Sequence, residues 1–491
     1  MDALQEARTA RMPEALILLV SVGMVSWLVW TVMDAMRHPL SRFPGPFSAK
    51  FSNFWFTRTF LGGRPVVRVA PNELSFSSAG SWRDIYGQRK GVAPFVKSEF
   101  YDGGSFAAEA HSIVSVRDVG EHRGMTKYLA NAFSDRSLRQ QENLVAKGVD
   151  AFVRRIGEQG ATADGIDLVL WLNLATFDII GGLAFGQSFG GVANGTQHFW
   201  VSIVVKAMRM GALADCFKRF PSIGFAFQKL FKRRLAKMIE DTRRHEQYSM
   251  DLVRRRLSMN PSQPDFMSHI IAAREQYGIP EVQMAAHASD FVVAGSETTA
   301  TALACVTYYL QKRPDILSKL RDEVRSAFSS YAEIDSESTL RLKYLKAVCL
   351  EAMRVYPPLP FPLPRVVPAG GADVDGHFLP GGTVVSTNPF AASMSSANFV
   401  DPWDFKPERW LGENTEDTLE ASQPFSYGPR SCLGRSLGWM EMRTFLAKMH
   451  FQYDLELLEP DLDWHGQSEM HTLWQKPKLM VRVHPRKSSL P

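Results

Sequence analysis

The stretch FSYGPRSCLG, Phe425–Gly434, holds one of four cysteines in a chain of 491 residues. It runs directly into LGRSLGWMEMRTFLAKMH, whose apolar spacing reads as a helix. A cysteine at a helix start meets unpaired backbone N–H groups and the positive end of the helix dipole, and both favour a thiolate. Gly428 and Gly434 remove side chains on both sides, as a tight turn requires if something flat and bulky is to approach the sulfur. Arg430 adds a guanidinium fork suited to a carboxylate. Cys305 and Cys349 lie inside apolar helical runs and read as packing, whereas the neighbours of Cys432 are Gly, Pro, Arg and Ser. Cys432 therefore reads as a ligand.

Composition narrows the chemistry around that sulfur. With 45% hydrophobic and 22% charged residues, the chain has the balance of a globular body long enough to bury a large core. Four widely spaced cysteines with no C-x-x-C pair make neither a disulfide framework nor a zinc site, which points to reduced, cytosolic chemistry. The net charge of +5 is mild, and the basic runs FKRRLAK (231–237) and VRRRL (253–257) sit in helical patterns with no nucleic-acid motif. Nucleotide-binding, nucleophile-elbow and H-E-x-x-H signatures are all absent. No repeat or linker divides the region after Pro46.

At the N-terminus, Ala15–Met33 reads ALILLVSVGMVSWLVWTVM, 19 residues without a charge. As a helix this run is about 28 Å long, enough to span a bilayer. Acids at Asp2, Glu6 and Glu14, and the absence of a small-residue cleavage site near Met33–Arg37, count against a cleaved signal peptide. Arg37, Arg42 and Lys50 after the span, against Arg8 and Arg11 before it, place the body on the cytosolic side. The expected organisation is a tail over 1–14, a single transmembrane anchor over 15–33, a Pro/Gly hinge over 34–50 and a catalytic domain over 51–491.

Within that domain, PVVRVAPNELSFSS (65–78) alternates like strands. The segments 121–135, 167–186 and 281–313 have helix periodicity, and the last, hydrophobic beyond one face, is expected to run through the middle of the fold. Pro357-Pro358 should stop the helix carrying YLKAVCLEAMRVY. DVDGHFLPGGTVVS (373–386) reads as a hairpin. A mainly α architecture with a small β part is the result.

The order F-x-x-G-x-R-x-C-x-G, spelled by Phe425, Gly428, Arg430, Cys432 and Gly434, resembles the heme-binding loop of the cytochrome P450 superfamily. The resemblance implies that Cys432 is the axial ligand of heme iron, a thiolate that donates electron density and favours O–O cleavage. Glu351 and Arg354 of LEAMR, three apart on one helix face, followed by Y-P-P and by PERW (407–410), resemble that family's buried ion pair, which Arg409 is implied to join. AGSETT (294–299) resembles its oxygen-activating signature. Thr298 can turn its hydroxyl back to the Ala294 carbonyl, loosening the helix beside Gly295, and Glu297 beside it is a proton source. Arg365, Arg430 and His122 fall where the family places partners of the heme propionates. The helix position four residues after His122 is Thr126 where the family often has Arg, so Arg123 or Lys127 would have to compensate. Between the Pro44-Gly45-Pro46 elbow and the first strands, Gly62-Gly63-Arg64-Pro65 joins almost directly, short by a helix's worth of residues against related fungal-type sequences.

The tone of the chain is most similar to fungal microsomal members of secondary metabolism. What this implies is the cytochrome P450 fold, behind a transmembrane helix, in the endoplasmic reticulum membrane. The cofactor is heme b, and O2 is used with NADPH-derived electrons delivered by a membrane-bound reductase, with cytochrome b5 as an optional partner. The substrate is a lipophilic terpenoid, polyketide or alkaloid, lined by the segment Phe95 to Phe106, the 200–230 region, Phe291 with Ala294, and Leu359 to Leu363. Two rival readings keep the sulfur-bound heme: an isomerase or dehydratase that needs no O2, and an inactive heme-binding protein lacking the short segment's helix. The Glu297–Thr298 pair argues against both.

Overall fold

The computed structural model describes residues 2–44, 46–50, 68–104, 110–200, 203, 215–220, 225, 229–259, 265–412, 416–470 and 472–486. The short interval before Pro65 lies outside them. The principal helices are α1 (Asp2–Arg37), α2 (Ala79–Tyr86), α3 (Val119–Leu129), α4 (Asp135–Gly160), α5 (Leu168–Phe185), α6 (Lys232–Ser258), α7 (Phe266–Tyr277), α8 (Glu281–Lys312), α9 (Pro314–Ala327), α10 (Lys343–Val355) and α11 (Arg435–Gln452).

Helix α5 explains the layering. Its sequence LVLWLNLATFDIIGGLAF is apolar on every side, and a helix without a polar face is buried all round. Asp167 caps its start by accepting from the Val169 N–H, and Gly186 ends it in the left-handed conformation at φ 70°. Two glycines let its neighbours close on it. A Cβ on Gly148 of α4 would stand 2.3 Å from Ile179 Cγ1, and one on Gly295 of α8 would stand 2.8 Å from Ile180 Cδ1. Gly295 is thus required by helix packing. Helix α8 runs over 32 residues, Glu281–Lys312. On the far side of α4, Phe152 meets Phe445 of α11 edge-on, ring centroids 5.1 Å apart.

The strands are β1 (Arg68–Ala70), β2 (Glu73–Phe76), β3 (Val96–Lys97), β4 (Ile166–Asp167), β5 (Arg365–Val366), β6 (Ala372–Val374), β7 (His377–Leu379), β8 (Val384–Thr387), β9 (Tyr453–Leu457), β10 (Glu469–Met470), β11 (Trp474–Gln475) and β12 (Met480–Pro485). One sheet has the order β1-β2-β8-β5-β3, with β2 and β8 parallel and Glu73 opposite Val384. The expected hairpin over 373–386 is shorter than its sequence suggests. Asp375 and Gly376, at φ 51° and 76°, turn β6 onto β7 alone. Strand β8 instead leaves to pair with β2 and β5. The helix expected over 121–135 likewise ends at Leu129, and Ser134 caps α4 by accepting from the Ser137 N–H. Helix α10 stops at Val355, before Pro357.

Helix α1 contains the apolar run 15–33. From Val20 onward its large side chains are exposed, among them Val22, Met24, Trp27 and Trp30. Among the described residues, α5 is the helix that passes a length and hydropathy test for membrane crossing, and it is mostly buried inside the fold.

Candidate active site

The loop before α11 is shaped by its own backbone. The Cys432 N–H donates to the Phe425 carbonyl at 2.9 Å, and Ser426 and Gly428 take positive φ values of 60° and 74°. A Cβ on Gly428 would lie 2.0 Å from the Tyr86 carbonyl oxygen, so the glycine is needed for the close approach of α2 and the turn. It does not clear space at the sulfur, as the sequence suggested; Gly434 does stand next to it, its would-be Cβ 3.9 Å from Cys432 Sγ. The Phe425 ring lies 6.1 Å from that of Trp439 and under the Arg435 guanidinium.

Cys432 is accessible, yet burial pushes its thiol up. Both hold together if the accessible face opens into an enclosed space walled by protein. The Gly434 N–H and the Arg435 charge both favour the anion, but desolvation outweighs them. A metal ion bound to that sulfur would take the proton outright.

Beside this loop, cations converge from three directions. Arg365 of β5 is 3% exposed, lies over the Tyr86 and Tyr101 rings, and has an Nη1 that is buried without a hydrogen-bond partner. His122 of α3 is buried, and its imidazole is pushed down to about 3 by desolvation and then by the charges of Arg430, Lys97 and Arg365. Lys97 of β3 was not singled out in the sequence. Its ammonium donates to the carbonyls of Ile113 at 3.2 Å and Val114 at 2.5 Å. Burial, with Arg365 and Arg430 nearby, pushes it down to about 6. The acid within reach of Lys97, Asp290, acts on it less than those two arginines. The cluster is therefore short of negative charge.

Arg430 is held by backbone carbonyls. Its fork donates to the backbone carbonyls of Val116 at 2.7 Å, Arg117 at 2.9 Å and Asp118 at 3.1 Å, which ties the Cys432 loop to the start of α3. Arg123 and Lys127 are exposed on α3, whereas Lys97 is buried beside Arg365 and Arg430. No local pattern marks Lys97, because the charges that act on it, Arg365 of β5 and Arg430 of the 425–434 loop, are distant in sequence.

On α8 the Thr298 hydroxyl donates to the Ala294 carbonyl at 2.5 Å, as its sequence setting suggests. Ala294 is exposed although α8 is central. Glu297 turns to a different partner: its Oε1 is held by the Lys476 ammonium, which also donates to Thr301 Oγ1 at 2.7 Å. Helix α11 reaches the same turn of α8 through Glu441, whose buried carboxyl neighbours Thr299 and is pushed up to about 8 by desolvation.

The segment supporting the loop is bound by charge. Arg354 grips Glu351 with two bonds of 2.8 Å, and Arg409 Nε adds a third at 3.0 Å. Trp410 Nε1 and the Lys406 N–H, each at 2.9 Å, complete the shell of Glu351. Arg409 also meets Asp417. Glu351 and Arg354 are fully buried, so every lone pair and proton must be matched within the protein. Of the segments expected to line substrate, Phe100 and Phe361 do meet, stacked with centroids 4.7 Å apart. Phe291 packs into the core against Phe133 and Phe266. Residues 105–109 and most of 200–230 lie outside the described residues.

Comparison with known proteins places this arrangement. The family model Cytochrome P450 matches residues 56–483. The chain is 48% identical over 481 residues to Cytochrome P450 monooxygenase ORF11 of Penicillium roqueforti, covering 94% of this chain and 100% of that one. It is 39% identical to Cytochrome P450 monooxygenase BipB of Cochliobolus sativus, covering 92% and 93%, and 38% identical to Cytochrome P450 monooxygenase astJ of Aspergillus oryzae, covering 94% and 95%. The crystal structure of the cytochrome P450DA heme domain superposes with a TM-score of 0.70 at 17% identity over 84% of this chain and 88% of that one, which shows the shared fold. The chain belongs to the cytochrome P450 family, as a monooxygenase that works with heme, O2 and NADPH-derived electrons passed on by a reductase.

Proposed function

We propose that this monooxygenase inserts one atom of O2 into a lipophilic terpenoid, polyketide or alkaloid of fungal secondary metabolism, from a single-pass position in the endoplasmic reticulum membrane with its body in the cytosol. The observation that carries the catalytic part is the accessible Cys432 on a loop flanked by a buried basic cluster, in which Arg365 Nη1 has no hydrogen-bond partner and Lys97 lacks a matching acid. Support for the anchor is the exposed apolar side of α1 from Val20 onward. Support for the pathway class is the set of fungal sources among the relatives, Penicillium roqueforti, Cochliobolus sativus and Aspergillus oryzae.

The residues present fit a heme. Cys432 would hold the iron, and Arg365, with an unpartnered Nη1, together with His122, Lys97 and Arg430 would face the propionates. When bound, heme supplies the iron on which O2 is activated, and a thiolate ligand favours O–O cleavage. Phe425, Gly428 and Gly434 shape the loop that presents the sulfur, while Glu351, Arg354 and Arg409 brace the segment behind it. Thr298 commits its own proton to the Ala294 carbonyl, which leaves its oxygen free to accept a hydrogen bond on the accessible side. Glu297, one residue away in sequence, is the carboxylate that would resupply protons. Apolar contacts such as Phe100 with Phe361 suit an oily substrate.

The test is to compare metabolites of strains with and without this chain, then to incubate the accumulated precursor with microsomes, NADPH and 18O2. One 18O atom in the product is the expected result. A product lacking the label, formed equally well without O2, would establish the isomerase or dehydratase reading instead.

A further inference from the structure

Lys476 lies in the connection between β11 and β12, near the end of the chain. Its side chain is 3% exposed, and its ammonium touches Glu297 Oε1 and Thr301 Oγ1, one turn apart on α8. The connection is fastened on both sides of the lysine. Trp474 Nε1 donates to the Pro357 carbonyl at 2.7 Å, and the Leu479 N–H donates to Asp167 Oδ1 at 3.1 Å. The Leu479 carbonyl also accepts from the Leu168 N–H at 2.8 Å. The ammonium is therefore delivered by a rigid mount and does not need the ion pair to hold it in place. Glu297 remains 19% exposed, so Lys476 occupies one carboxylate oxygen and the group as a whole is not sealed off. A carboxylate clamped through one oxygen has a fixed direction for the other.

We propose that Lys476 is the positioning residue for proton supply: it fixes the Glu297 carboxylate beside Thr298 and leaves its second oxygen to exchange protons. The inference rests on the reading of Glu297 and Thr298 as the acid–alcohol pair. A plain tether between the C-terminal segment and α8 is the competing account, but Trp474 and Leu479 already fasten that segment, to Pro357 and Asp167.

The probe is cumene hydroperoxide, which needs neither reductase nor natural substrate. In heterolysis the departing oxygen keeps the bonding electron pair, takes a proton and leaves as 2-phenylpropan-2-ol. In homolysis the departing radical fragments to acetophenone and a methyl radical. The ratio of alcohol to ketone thus reads proton delivery. Full-length Lys476→Met should keep the carbon monoxide spectrum of a thiolate-bound heme, and hydrogen exchange over 474–479 should stay within twofold of the parent. Its alcohol-to-ketone ratio should fall at least fivefold, and Lys476→Arg should return it to within twofold. Lys476→Met combined with Glu297→Gln should be no worse than Glu297→Gln alone, since the lysine acts through the glutamate.

The proposal is overturned if Lys476→Met leaves the ratio unchanged, if Lys476→Arg fails to restore it, or if the double variant loses a further fivefold. Loss of the heme spectrum in Lys476→Met with exchange over 474–479 raised tenfold would make the residue a structural tether, and would also overturn it. A parent protein that binds heme but gives no cleavage of the peroxide overturns the acid–alcohol reading itself, a result distinct from any failure confined to the lysine variants.

Discussion

At Cys432 desolvation outweighs the Gly434 N–H and the Arg435 charge and pushes the thiol up. Cys432→Ala should leave the protein in the membrane fraction while abolishing the heme-thiolate carbon monoxide spectrum; a surviving spectrum would remove the ligand assignment. Lys97 makes a prediction with a sign. In the heme-free fold its ammonium is pushed down to about 6, below the ordinary lysine range, so above that pH the unfolded chain binds the extra proton. Stability of the heme-free chain, relative to Lys97→Met, should therefore rise with pH by roughly 1.4 kcal/mol per unit from about pH 6 towards pH 10. Heme propionates would supply the missing negative charge, so the same substitution should weaken heme retention. Chemical denaturation across pH, with and without heme, checks both. Glu351→Gln strips charge from a fully buried pair and leaves Arg354 uncompensated, while Arg409 keeps Asp417. A loss of about 3–5 kcal/mol is expected, seen as a chain recovered without heme. The cysteine loop was legible because its ten residues are consecutive and rare in combination. Lys97 and Lys476 were not, because each gains its meaning from partners far away in sequence.

Among the elements, the contact of α5 with α4 and α8 has the tightest tolerance. Ile179 and Ile180 are adjacent in sequence yet meet glycines on two different helices. Gly148→Leu and Gly295→Leu should each destabilise by about 1–3 kcal/mol through overpacking. Because both act on α5, the double variant should depart from additivity; thermal unfolding of the two single variants and the double variant measures this. Helix positions in the sequence were legible wherever apolar periodicity was strong, as in α8. The reason for Gly295 was not, since a glycine next to a Ser/Thr-rich turn looks the same whether it loosens a helix or admits a neighbour. The 373–386 segment shows the same limit for strands. Its Asp-Gly turn announced a hairpin, but nothing local told that β8 would be claimed by β2 and β5.

For the whole molecule, removal of residues 1–33 should shift the protein from the membrane pellet towards the supernatant while retaining the heme spectrum; fractionation with spectroscopy decides it, and an unchanged pellet would place the attachment elsewhere. The fold class was legible because a long hydrophobic central helix, a small strand set and the cysteine loop occur in a fixed order. The lining of the substrate space was not, since it is assembled from loops whose composition obeys no periodicity. One consequence follows from the contact that joins Glu297 to a lysine 179 positions later. During synthesis the chain emerges from the ribosome with its central helix long before its counter-ion, so a transcript cut short after position 452 would still encode the sulfur ligand. Such a nascent protein would carry Cys432 yet lack both Lys476 and the core side chains Trp464, Trp474 and Val481.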